Sequence, residues 1–385
     1  MRALVLTALL ATPAPAAPCG GDFAAFLASM AEEARVLDLP EDSVKSFFSG
    51  ATEDPRVLKS DRAQGVFRKS FIDFSQSLIS KTRLSTARSK AQDLDPILTR
   101  AETDYGIPRG ILLAFWAFET DFGAIQGDFN TRNALLTLAH DCRRPEIFQP
   151  QVFAAIALHA AGDLPTTTTG AWAGEIGQVQ MLPRDILDRG VDGDGDGHVS
   201  LKTSAPDALL SAANLLLSHG WRAGEPWLSE VTLPEPFEYS LTGLGTEQPV
   251  ESWVALGVAP RQGTLPPGLP ASLILPQGRK GPAFLIYPNF RTLFEWNKSF
   301  TYVLTAAYFA TRIEGAAPYA VGTPDPALTP EQMKTLQAKL AALGHDVGEI
   351  DGILGAGTRD AVQVEQRRLG LPADAWPTID LLNAL

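Results

Sequence analysis

Gly110-Ile-Leu-Leu-Ala-Phe-Trp-Ala-Phe118, running directly into Glu119-Thr-Asp-Phe-Gly123, is the stretch on which the reading of the fold turns. The run is almost wholly apolar, and Pro108 stands at its start, where a proline suits the first turn of a helix. A segment that is hydrophobic all round packs inside a protein, so a buried helix is predicted, ending on a single carboxylate. Working outward, Phe23, Phe26, Leu27 and Met30 share one helical face, and Phe67, Phe71, Phe74 and Leu78 repeat the pattern. Further helices are predicted over Gln151–Ala161, Pro206–His219 and Ser299–Ile313. Between Pro234 and Pro288 the texture becomes Pro- and Gly-rich, with short apolar runs at Ala271–Leu275 and Ala283–Tyr287, which predicts a small strand-and-loop subdomain.

Beyond Ile313 a stretch with Gly315, Pro318, Gly322, Pro324 and Pro326 reads as a linker. Thr329-Pro330-Glu331 then opens a helix with Leu336 and Leu340 on one face, Gly344 ends it, and Gly357-Thr358 opens another that stops before Gly370. The expected organisation is a leader at 1–17, a mainly α domain at 18–313 containing the strand-and-loop part at 234–288, a linker at 314–328, and a small helical domain at 329–385. A length of 385 residues suits two to three domains, and 45% hydrophobic with 20% charged residues is an ordinary globular balance. The net charge of −12 argues against a duplex-binding surface, which needs Lys and Arg to neutralise phosphates, and leaves a neutral polymer open.

Arg2, the apolar run Ala3–Ala11 and the small residues around Ala14–Ala17 follow the three-part order of a secretory signal, the alternative being an Ala/Leu-rich disordered terminus. No later stretch offers eighteen uninterrupted apolar residues, so no transmembrane segment is expected. Pro18 before Cys19, and Ala16 where a lipoprotein signal carries a larger aliphatic residue, argue against a lipid anchor. Cys19 and Cys142 are the two cysteines of the chain; in an oxidising compartment they are natural partners, with two unpaired buried thiols as the alternative.

Glu119 carries the chemistry if it is buried among its aromatic neighbours Phe115, Trp116, Phe118 and Phe122, since such burial disfavours the charged form. With its ordinary pKa a glutamic acid is protonated in about one molecule in five hundred at pH 7; raised to about 6, in about one in ten. That makes a general acid, whereas a helix-end glutamate exposed to solvent does nothing. Asp192-Gly-Asp194-Gly-Asp196-Gly-His198 places carboxylates at positions one, three and five, a glycine at six and the His198 carbonyl at seven, the first half of an EF-hand calcium loop. Position twelve is Thr203, so Asp207 is the nearest carboxylate to close the ligand set. A structural calcium is expected, against an Asp/Gly turn with no metal. Serine hydrolase chemistry and zinc have no support: no G-x-S-x-G occurs, and His140, His159 and His219 are isolated.

Tyr105-Gly106-Ile107-Pro108, Phe118–Gly123, Arg143-Arg144, Gly170–Pro183, the Asp192–His198 loop and Gly220-Trp221, in that order, resemble the membrane-bound lytic murein transglycosylase B family. The tail, with Leu336-Gln337, Leu340, Gly344, Asp351-Gly352 and Gly370-Leu371, resembles the small three-helix peptidoglycan-binding domain. The resemblance implies a lysozyme-like helical fold, a periplasmic monomer that acts on peptidoglycan strands, and cleavage between N-acetylmuramic acid and N-acetylglucosamine ending in 1,6-anhydromuramic acid. Glu119 matches the catalytic acid and base, and the chemistry requires no cofactor. Arg143, Arg144, Gln180, Asn297 and Tyr302 match glycan-contacting positions; without the resemblance, Arg143-Arg144 reads as a solvated pair and Gln180 as a helix cap. Ala171 stands where many members carry serine, and Glu175 where the residue is usually small. If Glu175 faced the sugar, hydrolysis by a muramidase would become open; a catalytically silent wall-binding protein is the other alternative.

Overall fold

The computed structural model describes residues 18–63 and 69–385, so the expected signal at 1–17 and Phe67 lie outside the described residues. The chain forms two compact units, one built from residues up to 63 with 127–176 and 180–188, the other from the remainder.

In the first unit the helices Phe23–Val36, Glu41–Phe48, Pro55–Arg62, Thr131–His140 and Pro145–Ala161 surround a core containing Phe26, Met30, Phe47, Leu135 and Val152. Asp22 starts the first of them by accepting the Ala25 N–H at 2.8 Å, and Asn130 caps Thr131–His140 in the same way. The helix predicted from Gln151 begins earlier, at Pro145, and runs through Pro150. Phe129–Asn130 pairs antiparallel with Thr169–Gly170. Cys19 and Cys142 are bonded, with Cα atoms 5.2 Å apart.

The second unit is organised around the helix Arg109–Thr120, whose residues Gly110 to Ala117 are all buried, as an apolar surface on every side requires. The helix Phe300–Ile313 packs along it, with Phe118 and Phe309 stacked at 5.2 Å. Around this pair lie Phe71–Leu78, Lys81–Asp93, Asp95–Asp104 and Ala205–Ser218. The face of Phe71–Leu78 differs from the expected one: Phe71, Ile72 and Ser75 are buried while Phe74 and Leu78 are half-buried, with Phe71 packed on Phe284, Tyr308 and Tyr319 and the Ser75 hydroxyl paired with the Tyr319 hydroxyl at 2.8 Å.

The strand-and-loop part is a five-stranded antiparallel sheet in the order Gln248–Pro249, Pro270–Ile274, Ala283–Ile286, Leu228–Thr232, Ala259–Pro260. Leu228–Thr232 precedes the expected start at 234, since it pairs with Ala283–Ile286. The segment read as a linker does not hang free. Tyr319 is buried against Tyr308, the Thr323 N–H donates to the Lys280 carbonyl at 2.8 Å, and Lys280 pairs with Asp325. The last three helices, Pro330–Ala342, Ala356–Arg368 and Ile379–Ala384, close around Leu336, Leu340, Val362 and Leu381. Thr329 and Gln332 form a capping box at the first, and Gly344, in left-handed backbone, follows its end. This domain is hydrogen-bonded to the sheet part: Gln363 donates to the Thr242 carbonyl at 2.9 Å, Arg359 to the Pro276 carbonyl at 2.8 Å, and Asp374 accepts the Arg279 N–H at 3.0 Å. No helix among the described residues is long and apolar enough to cross a membrane.

Candidate active site

Glu119 is the penultimate residue of Arg109–Thr120, and the chain leaves that helix abruptly. Asp121, Phe122 and Gly123 all take left-handed backbone, at φ 51°, 60° and 88°. Gly123 is required there twice over: its φ is unfavourable for other residues, and a Cβ would lie 2.7 Å from Gln178 Oε1. Gln178 holds this corner, its Oε1 accepting the Trp116 indole N–H at 3.1 Å and its carbonyl accepting the Thr120 hydroxyl at 2.5 Å. Beyond the end of the helix, Phe122 stands edge-on to Trp116 at 5.5 Å.

The polar neighbours of Glu119 come from far along the chain. Trp296 Nε1 donates to Glu119 Oε1 at 2.9 Å, and the Tyr302 hydroxyl donates to the same oxygen. Oε2 takes no hydrogen bond among the described residues. Trp296 stacks on Phe115 at 4.5 Å, and Tyr302, 7% exposed, lies edge-on to Phe118 at 6.1 Å. Burial pushes the Glu119 carboxyl above the usual carboxylate range, and the two hydrogen bonds oppose that rise. Among the described residues no other charge perturbs it. The Tyr302 phenol is raised well above its ordinary value, first by burial and then by the adjoining carboxylate. A half-buried carboxyl with one oxygen anchored and one open is built to give and take back a proton. The alternative of a solvated helix-end glutamate is thereby removed.

Trp296 was legible as a neighbour of Asn297 but not as a partner of the carboxyl. Asn297 ends the helix Pro288–Trp296, and its Oδ1 accepts the Ser299 N–H at 2.9 Å, which fixes the turn leading to Tyr302. In the first unit, Arg143 and Arg144 are partly exposed, and both guanidiniums are bonded to Asp61, a carboxylate that sequence reasoning missed. Gln180 is not a helix cap; it occupies left-handed backbone, φ 53°, inside the turn bracketed by the Ile176–Met181 bridge. Ala171 and Glu175 belong to the neighbouring turn, the Ala171 N–H donating to the Glu175 carbonyl at 2.9 Å.

The acidic loop fits a hard cation. Carboxylate oxygens of Asp192, Asp194 and Asp196 lie within 4.8 Å of one another, an all-oxygen set suited to calcium. Asp192 is fixed by the N–H groups of Gly197, Gly195 and Asp196, which also hold its carboxyl below the usual range. These three side chains, with the His198 carbonyl, would hold the ion. Asp207 does not close the set as expected. It is fully buried, with Oδ1 accepting from Gly193 N, Asp194 N and the Ser204 hydroxyl and Oδ2 from Ser200 N, so it braces the loop backbone.

The sequence matches the transglycosylase SLT domain family over residues 22–311 and the putative peptidoglycan binding domain family over residues 329–385. It is 31% identical over 211 residues to the membrane-bound lytic murein transglycosylase B of Escherichia coli (strain K12), a match covering 54% of this chain and 57% of that protein. The structure resembles that of SltB3 from Pseudomonas aeruginosa in complex with NAG-anhNAM-pentapeptide, at 35% identity and a TM-score of 0.86, covering 95% of this chain and 99% of that one. It shares its fold with the Escherichia coli lytic transglycosylase Slt35 in complex with calcium, at 24% identity and a TM-score of 0.66, covering 77% and 96%. With three quarters of its length inside the first of these matches and most of the remainder inside the second, the chain belongs to the SLT transglycosylase family and carries a peptidoglycan-binding domain behind the catalytic one.

Proposed function

We propose that this protein is a peptidoglycan lytic transglycosylase, cleaving the β-1,4 bond between N-acetylmuramic acid and N-acetylglucosamine and leaving 1,6-anhydromuramic acid ends. The observation that carries the reading is the half-buried carboxyl of Glu119, anchored through Oε1 by Trp296 and Tyr302. In the first step the protonated carboxyl gives its proton to the glycosidic oxygen, and the muramyl C1–O bond breaks towards an oxocarbenium-like state. In the second, the C6 hydroxyl of the same sugar attacks C1 and its proton returns to Glu119. No water is consumed and the acid is regenerated. An intramolecular nucleophile held close to C1 makes a second catalytic carboxylate unnecessary.

In this reading Arg143, Arg144, Gln180, Asn297 and Tyr302 contact the glycan, and Asp192, Asp194, Asp196 and the His198 carbonyl hold a structural calcium, as the calcium complex of Slt35 supports for that protein. The protein is exported by residues 1–17 to the periplasm, works there as a monomer, and uses residues 329–385 to stay on the insoluble wall, raising the local substrate concentration. The test is mass spectrometry of fragments released from purified sacculi by the mature protein. Products one water lighter than hydrolytic fragments are expected. Full-mass reducing ends would replace the reading with a muramidase, and no release would replace it with a wall-binding protein.

A further inference from the structure

Arg359 belongs to the helix Ala356–Arg368 of the C-terminal domain and reaches out of that domain. Its Nη2 donates to the Pro276 carbonyl at 2.8 Å, just beyond the strand Pro270–Ile274, and its guanidinium lies 4.9 Å over the ring of Phe300. Phe300 opens the helix Phe300–Ile313, and Tyr302 follows two residues later with its N–H donated to the capping Ser299 hydroxyl. All of these residues lie in the second compact unit. Arg359 Nε is buried with no hydrogen-bond partner among the described residues. Burial lowers its pKa to about 10 against the opposing pull of Asp374 and Asp360. A cation withdrawn from water in this way costs stability, so its contribution is a fixed point rather than binding energy. Around that point the seam is open. One cleft lined by Thr301, Met333 and Leu354 and another lined by Thr242 and Gln363 both border the Arg359 side chain. Close packing therefore does not hold the first turn of Phe300–Ile313 here, and the guanidinium is what spans the seam.

We propose that Arg359 is a positioning residue for the active site: it seats the C-terminal domain on Phe300 and so fixes the first turn of the helix that brings the Tyr302 hydroxyl to Glu119. Phe300 and Tyr302 are separated by about 3 Å of helix rise, and a helix moves as a rigid rod over that distance. A shift at the Phe300 ring is thus carried to the Tyr302–Glu119 bond, whose strength depends steeply on distance and angle. The C-terminal domain then has a second task beside holding the wall, since a movement of its helix Ala356–Arg368 is felt at the catalytic carboxyl. The inference rests on the assignment of Glu119 as acid and base made above.

The experiment measures kcat and KM across pH for the full-length mature enzyme and its Arg359→Met variant on soluble glycan strands. Methionine fills much of the same space and removes the charge and the donors. In the variant kcat is expected to fall roughly threefold with KM little changed. The basic limb of the kcat/KM profile should move to higher pH, because a loosened Tyr302 bond opposes the rise of the Glu119 pKa less. In a Tyr302→Phe background, where that bond is already gone, Arg359→Met should leave the limb where it is. Arg359→Lys keeps a cation within reach of the ring and should recover part of kcat. Gln363→Leu is the control: it cuts the bond of the same seam to the Thr242 carbonyl, and should lower the Tm without moving the limb. A limb that stays in place in Arg359→Met, a loss confined to KM, or an equal shift in Gln363→Leu would each overturn the inference. If Arg359→Met does not fold, Phe300→Leu removes the ring and keeps the guanidinium; an unmoved limb there overturns it too. Wild type that releases no fragments would overturn the transglycosylase reading and this inference with it, whereas an active wild type with an unmoved limb in the variants overturns this inference alone.

Discussion

The Tyr302 hydroxyl donates to Glu119 Oε1 from 183 residues further along the chain. The two helices that carry these residues pack against each other over their length, so the bond is a product of core packing rather than of local sequence. It has a chemical consequence. Burial raises the Glu119 pKa while Tyr302 and Trp296 hold it down, and the proposed mechanism uses this balance to release a proton to the leaving oxygen and accept one from the sugar hydroxyl.

Replacing Tyr302 by Phe removes one of the two opposing bonds, so the Glu119 pKa rises further. The basic limb of the kcat/KM profile against pH should therefore move to higher pH, while the rate at the optimum falls roughly tenfold, the order of one lost charge-assisted hydrogen bond. A pH–rate profile on soluble glycan strands checks both. A limb that stays in place or moves down would remove Tyr302 from control of the acid.

Glu119→Gln should lower kcat by about 10²- to 10⁴-fold with little change in substrate binding. It should also raise stability, and the sign follows from the direction of the shift. As pH rises through the ordinary carboxylate range, the unfolded chain ionises first while the folded protein keeps its proton, so the wild type loses stability until the raised folded pKa is passed. Glutamine has no such loss. The Tm difference between variant and wild type should be small near pH 4 and larger near pH 8, and a difference independent of pH would contradict the assignment.

Much of this was legible in the chain. The apolar run Gly110–Phe118 specified a buried helix, and the alternating turn and helix signals of Thr329–Gly370 specified the small C-terminal domain, because both are local patterns with one packing solution. The partners of Glu119 were not legible from spacing, since Trp296 and Tyr302 arrive by tertiary packing. The place where the helix ends was not legible either, since nothing in Thr120-Asp121-Phe122 announces that the backbone turns left-handed at Asp121. Asp61 was invisible for the same kind of reason: nothing in Ser60-Asp61-Arg62 distinguishes a buried carboxylate from a solvated one. The proximity of Asp207 to the acidic loop was legible but its role was not, since its oxygens face backbone N–H groups.

The acidic loop makes a prediction of its own. Three carboxylates whose oxygens lie within 4.8 Å repel one another unless a cation is shared. A ligand that binds only the folded state stabilises it by mass action, so calcium well above its Kd should raise the Tm by a few degrees, and a chelator should remove the gain. Asp192→Asn should abolish the calcium response. Asp207→Asn should lower the Tm even with calcium absent, because it weakens the brace that orders the loop. An identical Tm in chelator and in calcium would show that the loop is ordered by its hydrogen bonds alone.

The Cys19–Cys142 bond closes a loop of 123 residues, which sets a large expected effect on the unfolded chain. In the chain-entropy model the cross-link contributes about 4 to 5 kcal/mol, so the Cys19→Ser, Cys142→Ser protein should unfold at a markedly lower urea midpoint. The m-value should increase slightly, since an unlinked denatured chain exposes more surface. Reductant should bring the wild type to the midpoint of the double variant and leave the variant unmoved. Cys142 directly precedes Arg143, and Asp141 beside it pairs with Arg62, so this turn is held by a covalent bond and by ion pairs to the end of Pro55–Arg62. If the ion pairs suffice to hold it, the double variant keeps the wild-type KM at temperatures where it is still folded; a raised KM there would assign the disulfide a part in placing Arg143.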